Sequence, residues 1–351
     1  MILNLLALVS SFLTGLVIYF DISRGGVELL PYAMSKVTLA VLPTTFPSNS
    51  TLSAEAFRSL FFIASLTNEE KCNVTSSDVN IDDVVAGDPR LVRIFNGKMA
   101  DLHQQRDVLI FYFAGAWMLG SVDDNDHLCR KLSGNTNFVV VCAQYSLAPE
   151  HPFPRGFNDA IAEMRWTKQY IAQYGGNPNR IYIMGESAGA NIASAMTIYN
   201  LDPAVTSEEE RVNIIGQVLV YPPTAANFTT ESYAKYDRYN GMLTREEMQH
   251  AWLLYAGGKR IDPSDYRYQP LYAQAALLAN LPPTIMVVAE YDVLRDDALH
   301  LANRLNDAGV EVDVLHYNTI HGFFGRYISA LGSQAVNDVT DRLLKISEKT
   351  T

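Results

Sequence analysis

Arg180-Ile181-Tyr182-Ile183-Met184-Gly185-Glu186-Ser187-Ala188-Gly189-Ala190-Asn191 begins as an apolar strand and ends as the start of an Ala-rich helix, with Gly-x-Ser-x-Gly at the corner. Such a corner has a physical reason: the serine sits in a strained turn, and small flanking residues let the chain pass close by on both sides. The turn would aim Ser187 Oγ outward at the helix N-terminus. The plainer reading is an N-cap serine between two glycines, so the rest of the chain has to decide.

Working outward, short and nearly continuous apolar runs fall at residues 108–113, 138–145, 181–184, 216–221, 284–291 and 312–316, and each reads as a strand. Amphipathic stretches at 157–174, 188–199, 296–307 and 333–348 read as helices between and after them. Continuous rather than alternating apolar strands, interleaved with helices, indicate a parallel sheet covered on both faces. The expected fold class is therefore α/β, with a doubly wound, mostly parallel sheet. Two further strand candidates, 79–85 and 90–95, precede the regular pattern.

One interval breaks the rhythm. Residues 224–280 hold scattered tyrosines and a helical stretch at 244–255 but no strand, and read as an inserted cap or lid over the C-terminal edge of the sheet. Residues 27–42 and 51–66 read as helices, separated by Pro43 and Pro47. The domain reading is thus an N-terminal segment at 1–20, a helical cap region at 21–76 and a catalytic domain at 77–351 carrying the insert.

Composition excludes some functions. With 48% apolar and 19% charged residues the chain can bury a large core, and its net charge of -11 argues against nucleic acid as a partner. Cys72, Cys129 and Cys142 match neither a redox pair nor a zinc knuckle and read as structural thiols. Met1 to Phe20 carries no charged side chain and is long enough, as a helix, to cross a bilayer. It is read as a single membrane anchor on a protein of the endoplasmic reticulum or secretory pathway, the alternative being a cleaved signal on a secreted protein. Sequons at Asn49, Asn73 and Asn227 suit a glycoprotein, whereas Arg24 and Lys36 after the segment oppose a lumenal body. Orientation is left open.

A serine hydroxyl becomes a nucleophile only when a base takes its proton and an acid steadies that base. Asp292 directly follows the run 284–291, so its carboxylate would emerge at the same sheet edge as Ser187, while Asp296 and Asp297 fit a helix's first turn. His321 follows the run 312–316 in a loop context before Gly322-Phe323-Phe324, with His316 as runner-up at a strand end. Backbone donors for a developing oxyanion are expected from Ala188 and from the loop Phe113-Ala114-Gly115-Ala116-Trp117.

Four ordered motifs now coincide: the elbow with Asn191, Tyr145-Ser146-Leu147-Ala148-Pro149-Glu150-His151-Pro152-Phe153-Pro154, Asp292-Val293-Leu294-Arg295 and His321-Gly322-Phe323. Together they resemble the hormone-sensitive-lipase-like α/β-hydrolase family, which includes arylacetamide-deacetylase-like esterases. The resemblance implies an α/β-hydrolase fold, Ser187, Asp292 and His321 as a triad, and Gly115, Ala116 and Ala188 as oxyanion donors. It implies hydrolysis of small apolar esters, with amides as a further class, and no metal or organic cofactor.

In two places the chain departs from that family. Where relatives carry His-Gly-Gly-Gly, this chain has Phe113-Ala114-Gly115-Ala116. Relatives with alanine at the third glycine handle bulky tertiary alcohols poorly. Glu186 also replaces a commoner aspartate. The alternative function is a non-catalytic ligand-binding receptor or degenerate esterase on the same fold; receptors of that kind lack the histidine present here as His321.

Overall fold

The computed structural model describes residues 74–81, 90–97, 105–237, 243–325 and 330–350. The expected segment at 1–20, the helical stretches at 27–42 and 51–66, Asn49, Cys72 and Asn73 lie outside them. Among the described residues no helix is long and apolar enough to cross a membrane.

The described strands form one eight-stranded sheet in the order β1-β2-β4-β3-β5-β6-β7-β8. They are β1 Thr75–Ile81, β2 Arg90–Asn96, β3 Arg106–Tyr112, β4 Val139–Ala143, β5 Gly176–Glu186, β6 Ile214–Val220, β7 Thr284–Ala289 and β8 Val312–Tyr317. Only β2 runs against its neighbours; from β4 to β8 every pairing is parallel. The doubly wound α/β sheet expected from the apolar runs is present. Consecutive residues from Val108 through Phe113 are all inaccessible, which requires cover on both faces of the sheet.

The helices are α1 Asp126–Thr136, α2 Arg155–Tyr170, α3 Ala188–Leu201, α4 Glu231–Tyr236, α5 Arg245–Tyr255, α6 Ala275–Leu278, α7 Arg295–Asp307 and α8 Ala330–Lys349. α1 packs on α8, and α2 on α3. α3 is buried nearly all round, consistent with its position in the middle of the fold. α5 begins with a capping box in which Thr244 and Glu247 satisfy each other's backbone donors.

Two expectations need correction. α1 was not foreseen. β1 starts at Thr75, four residues before the expected strand and two before the expected domain boundary, because Thr75 to Asp78 pair with β2 through backbone while their side chains stay exposed. The interval 224–280 holds α4, α5, a short turn of helix at Pro270–Tyr272 and α6, with no strand among its described residues.

The strand order matters for function. The chain goes from β3 to β4 on one side, then to β5 on the other side of β3. The connections leaving the carboxyl ends of β3 and β5 therefore diverge, and such a switch point is where open α/β sheets bind ligands.

Candidate active site

Ser187 stands at the sharp corner between β5 and α3, with φ 52° and ψ -117°. A left-handed serine here costs backbone energy that neighbouring contacts must hold in place. Its N–H donates to Val220 O of β6 at 2.9 Å, and its carbonyl accepts from Ala190 and Asn191 as α3 begins. Gly189 permits the turn: a Cβ there would lie 2.1 Å from the backbone oxygen of Tyr112 at the end of β3. The first turn of α3 thus rests main chain on main chain against β3.

The three side chains singled out from sequence meet in one hydrogen-bonded chain. Ser187 Oγ lies 3.0 Å from His321 Nε2, and His321 Nδ1 lies 2.6 Å from Asp292 Oδ2. Asp292 is buried, and its other oxygen accepts from Leu294 N at 2.9 Å, fixing the carboxylate as the chain turns into α7. His316, the runner-up, is elsewhere: its Nε2 faces Glu290 Oε2 at 2.8 Å on a half-exposed surface. Glu290 also accepts from Arg295 and from Tyr236 Oη of α4.

The loop after β3 adopts a run of positive φ: 136° at Gly115, 51° at Ala116 and 61° at Trp117. A Cβ at residue 115 would sit 2.2 Å from Leu119 O, so glycine is required there. Ala116 and Trp117 pay for the same curvature, about 1 kcal/mol or more each for a left-handed L-residue. The three successive positive φ values curl the loop tightly where the backbone oxyanion donors are expected. Met118 N and Leu119 N both donate to Gly115 O at 2.9 Å, closing the loop on itself. Ala188 N, first in α3, has no intrahelical acceptor and belongs to the helix's positive end.

Phe113, where relatives carry a polar residue, is buried and stacks on Tyr145 with ring centroids 4.5 Å apart. Tyr145 Oη donates to Phe113 O at 2.9 Å. The run beginning at Tyr145 therefore holds the loop. Trp117 stacks almost parallel on Tyr255 at 4.6 Å and touches Trp252 at 4.5 Å, both from α5 of the insert. Tyr268 and Phe153 complete this aromatic cluster. Asn191 Nδ2 donates to Pro223 O and Tyr268 O, tying α3 to the insert.

Asp297, in the first turn of α7, is buried and accepts from Thr224 N at 3.0 Å and Ala225 N at 3.4 Å. Burial pushes its carboxyl up to about 8, against those N–H bonds and assisted by the neighbouring charges of Asp292 and Asp296. Sequence reading placed Asp297 only as a helix-dipole residue. Tyr221, whose ring lies 4.5 Å from that of His321, was missed as well. An aromatic residue closing an apolar strand carries no signal of such a contact.

Residues 109–325 match the family defined by the alpha/beta hydrolase fold. The chain belongs to that family. Among its relatives is a carboxylesterase, NlhH, of Mycobacterium tuberculosis, 34% identical over 62% of this chain and 66% of the relative, so the match falls just short of two thirds of that protein's length. Arylacetamide deacetylase of Mus musculus is 28% identical over 67% of this chain and 72% of its own. In structure, this α/β hydrolase is similar to an esterase from Pyrobaculum calidifontis, with a TM-score of 0.76 and 27% identity over 90% of this chain and 98% of that one. The thermophilic carboxylesterase EstE1, from a metagenomic library, superposes with a TM-score of 0.75 at 27% identity, covering 86% of this chain and 99% of its own.

Proposed function

We propose that this chain is a serine carboxylic-ester hydrolase acting on small apolar esters through an acyl-enzyme. The observation that carries the reading is the Ser187–His321–Asp292 hydrogen-bonded chain at the carboxyl edge of the sheet. Names of the relatives, carboxylesterase and arylacetamide deacetylase, support the same chemistry.

In this mechanism His321 Nε2 accepts the Ser187 hydroxyl proton as Oγ attacks the ester carbonyl. Asp292 holds the Nδ1–H tautomer and stabilises the imidazolium that forms. The N–H groups of Gly115, Ala116 and Ala188 face the charge developing on the carbonyl oxygen. His321 then gives its proton to the leaving alcohol, which departs and leaves the acyl group on Ser187. A water, deprotonated by His321, releases the acid and restores the serine. Amides fit the same steps with an amine as the leaving group. The hydrogen-bonded Ser–His–Asp chain favours this reading over the binding-only alternative, because a receptor makes no use of a general base.

The test is hydrolysis of p-nitrophenyl esters of increasing acyl length by the full chain and by Ser187→Ala. Turnover lost in the variant is the expected result. A folded wild type without Ser187-dependent turnover on any ester would overturn the reading.

We also read Met1 to Phe20 as a membrane anchor and Asn227 as a glycosylation acceptor, in the endoplasmic reticulum or secretory pathway. The uncharged length of the first supports one reading, and the exposure of the second supports the other. Fractionation with carbonate extraction, and a glycosidase shift lost in Asn227→Gln, test them separately.

A further inference from the structure

We propose that Tyr221, anchored on Glu186, is a positioning residue for His321, a brace separate from the one Asp292 supplies. This rests on the serine-hydrolase reading of the same site.

Tyr221 is the first residue after β6 and is almost inaccessible, with a positive φ of 37° that a tyrosine rarely adopts. Strain of this kind persists only where surrounding contacts hold it. Here they do so at both ends of the side chain. A phenol hydroxyl has one proton to give and lone pairs to receive. Tyr221 Oη gives its proton to Glu186 Oε1 and receives the N–H of Phe324 at 3.3 Å. Glu186 is the buried residue directly before Ser187, and Phe324 lies three residues after His321. One hydroxyl therefore ties the nucleophile's corner to the loop that carries the base.

The ring acts on the imidazole itself. It packs against His321 with centroids 4.5 Å apart and planes inclined by 54°, and reaches Phe323 at 5.8 Å. Asp292 restrains His321 through one ring nitrogen, which still allows the imidazole to tilt about that bond. A packed aromatic face opposes the tilt. The 3.0 Å approach of Nε2 to Ser187 Oγ is then set by two restraints from different strands, β6 and the end of β7. Glu186 in place of the shorter aspartate gives the carboxylate the extra methylene with which it meets the tyrosine hydroxyl.

The experiment compares wild type, Ser187→Ala, Tyr221→Phe, Glu186→Gln and the double variant Glu186→Gln/Tyr221→Phe, measuring kcat and KM on one p-nitrophenyl ester alongside thermal unfolding. Tyr221→Phe keeps the ring but strands a buried carboxylate and a buried N–H, so it is expected to lose both stability and kcat. The expected loss in kcat is about 10- to 100-fold, the scale of a small misplacement of a reacting group, with KM nearly unchanged. The double variant no longer strands a charge; it is expected to regain stability without regaining kcat, and it carries the test if Tyr221→Phe fails to fold. Glu186→Gln alone keeps an acceptor for the hydroxyl and should retain most of the turnover. Wild-type kcat in Tyr221→Phe, or recovery of kcat together with stability in the double variant, would overturn the brace while leaving the hydrolase reading intact. Absence of Ser187-dependent turnover in the wild type would remove both.

Discussion

Tyr145 holds Phe113 twice, by a ring stack at 4.5 Å and by a 2.9 Å hydrogen bond from its hydroxyl to the Phe113 carbonyl. Phe113 is the residue from which the left-handed loop Gly115-Ala116-Trp117 departs, so this pair sets the starting direction of the proposed oxyanion donors. Tyr145→Phe keeps the stack and removes the bond. It should cost about 1 kcal/mol of stability, and kcat should fall by less than the roughly hundredfold typical of losing a donor outright. Steady-state kinetics and denaturant unfolding on the same preparation would check both numbers.

Two histidines sit near the C-terminal edge of the sheet, and their surroundings separate them. His321→Ala should reduce kcat by about a thousandfold or more. His316→Ala removes only a half-exposed ion pair with Glu290, worth at most about 1 kcal/mol, and should leave kcat within a factor of two of wild type. Equal damage from the two substitutions would contradict the assignment of the base.

Ala116 carries a Cβ at φ 51° beside the proposed oxyanion site. Ala116→Gly relieves about 1 kcal/mol of left-handed strain while adding a similar cost, about 0.5 to 1 kcal/mol, through the freer unfolded chain. Stability should therefore change little. The vacated methyl should raise kcat/KM for tert-butyl esters relative to n-butyl esters by about tenfold, the lower range for one methylene's worth of space. Competition between the two esters gives that ratio directly.

Asp297 makes stability depend on pH in a definite sense. Its folded carboxyl titrates near 8, whereas an unfolded aspartate titrates near 3.9, so between these values the folded state holds more protons. The contribution is complete below about pH 4 and is lost as pH rises through 8. Glu163, buried in α2 and pushed well above the ordinary range by desolvation, acts in the same direction. Urea midpoints should fall between pH 6 and pH 9, and Asp297→Asn should flatten that slope. Parallel curves for wild type and variant would show that Asp297 is ionised in the folded protein at neutral pH.

The parallel strands were legible because burial on both faces leaves an unbroken apolar run, as in Val139–Ala143. The elbow, Asp292 and His321 were legible because chemistry demands specific residue types just after strand ends. α1 was not, since Asp126–Thr136 contains Gly134, Asn135 and Thr136 and buries Ser133 and Thr136 beside Leu128 and Leu132; packing against α8 carries it where propensity does not. β1 was displaced because its first four residues, Thr75 to Asp78, are polar and exposed, joined to β2 by backbone bonds and the Asp78–Arg93 ion pair, which leaves no hydrophobic pattern. Tyr145, Tyr221 and Asp297 escaped for another reason: each acts on the site from a different segment, and sequence order says nothing of which segments touch.

Gly189 rests against the main-chain oxygen of Tyr112 with no side chain between them. The distance from the serine to the loop that follows β3 is consequently a ruler cut in backbone, and no rotamer can lengthen it. Side chains that meet this loop, Trp252 and Tyr255 against Trp117 among them, can change while this ruler keeps its length. The spacing between Ser187 and that loop is thereby kept by main chain, out of reach of side-chain substitution except at Gly189 itself.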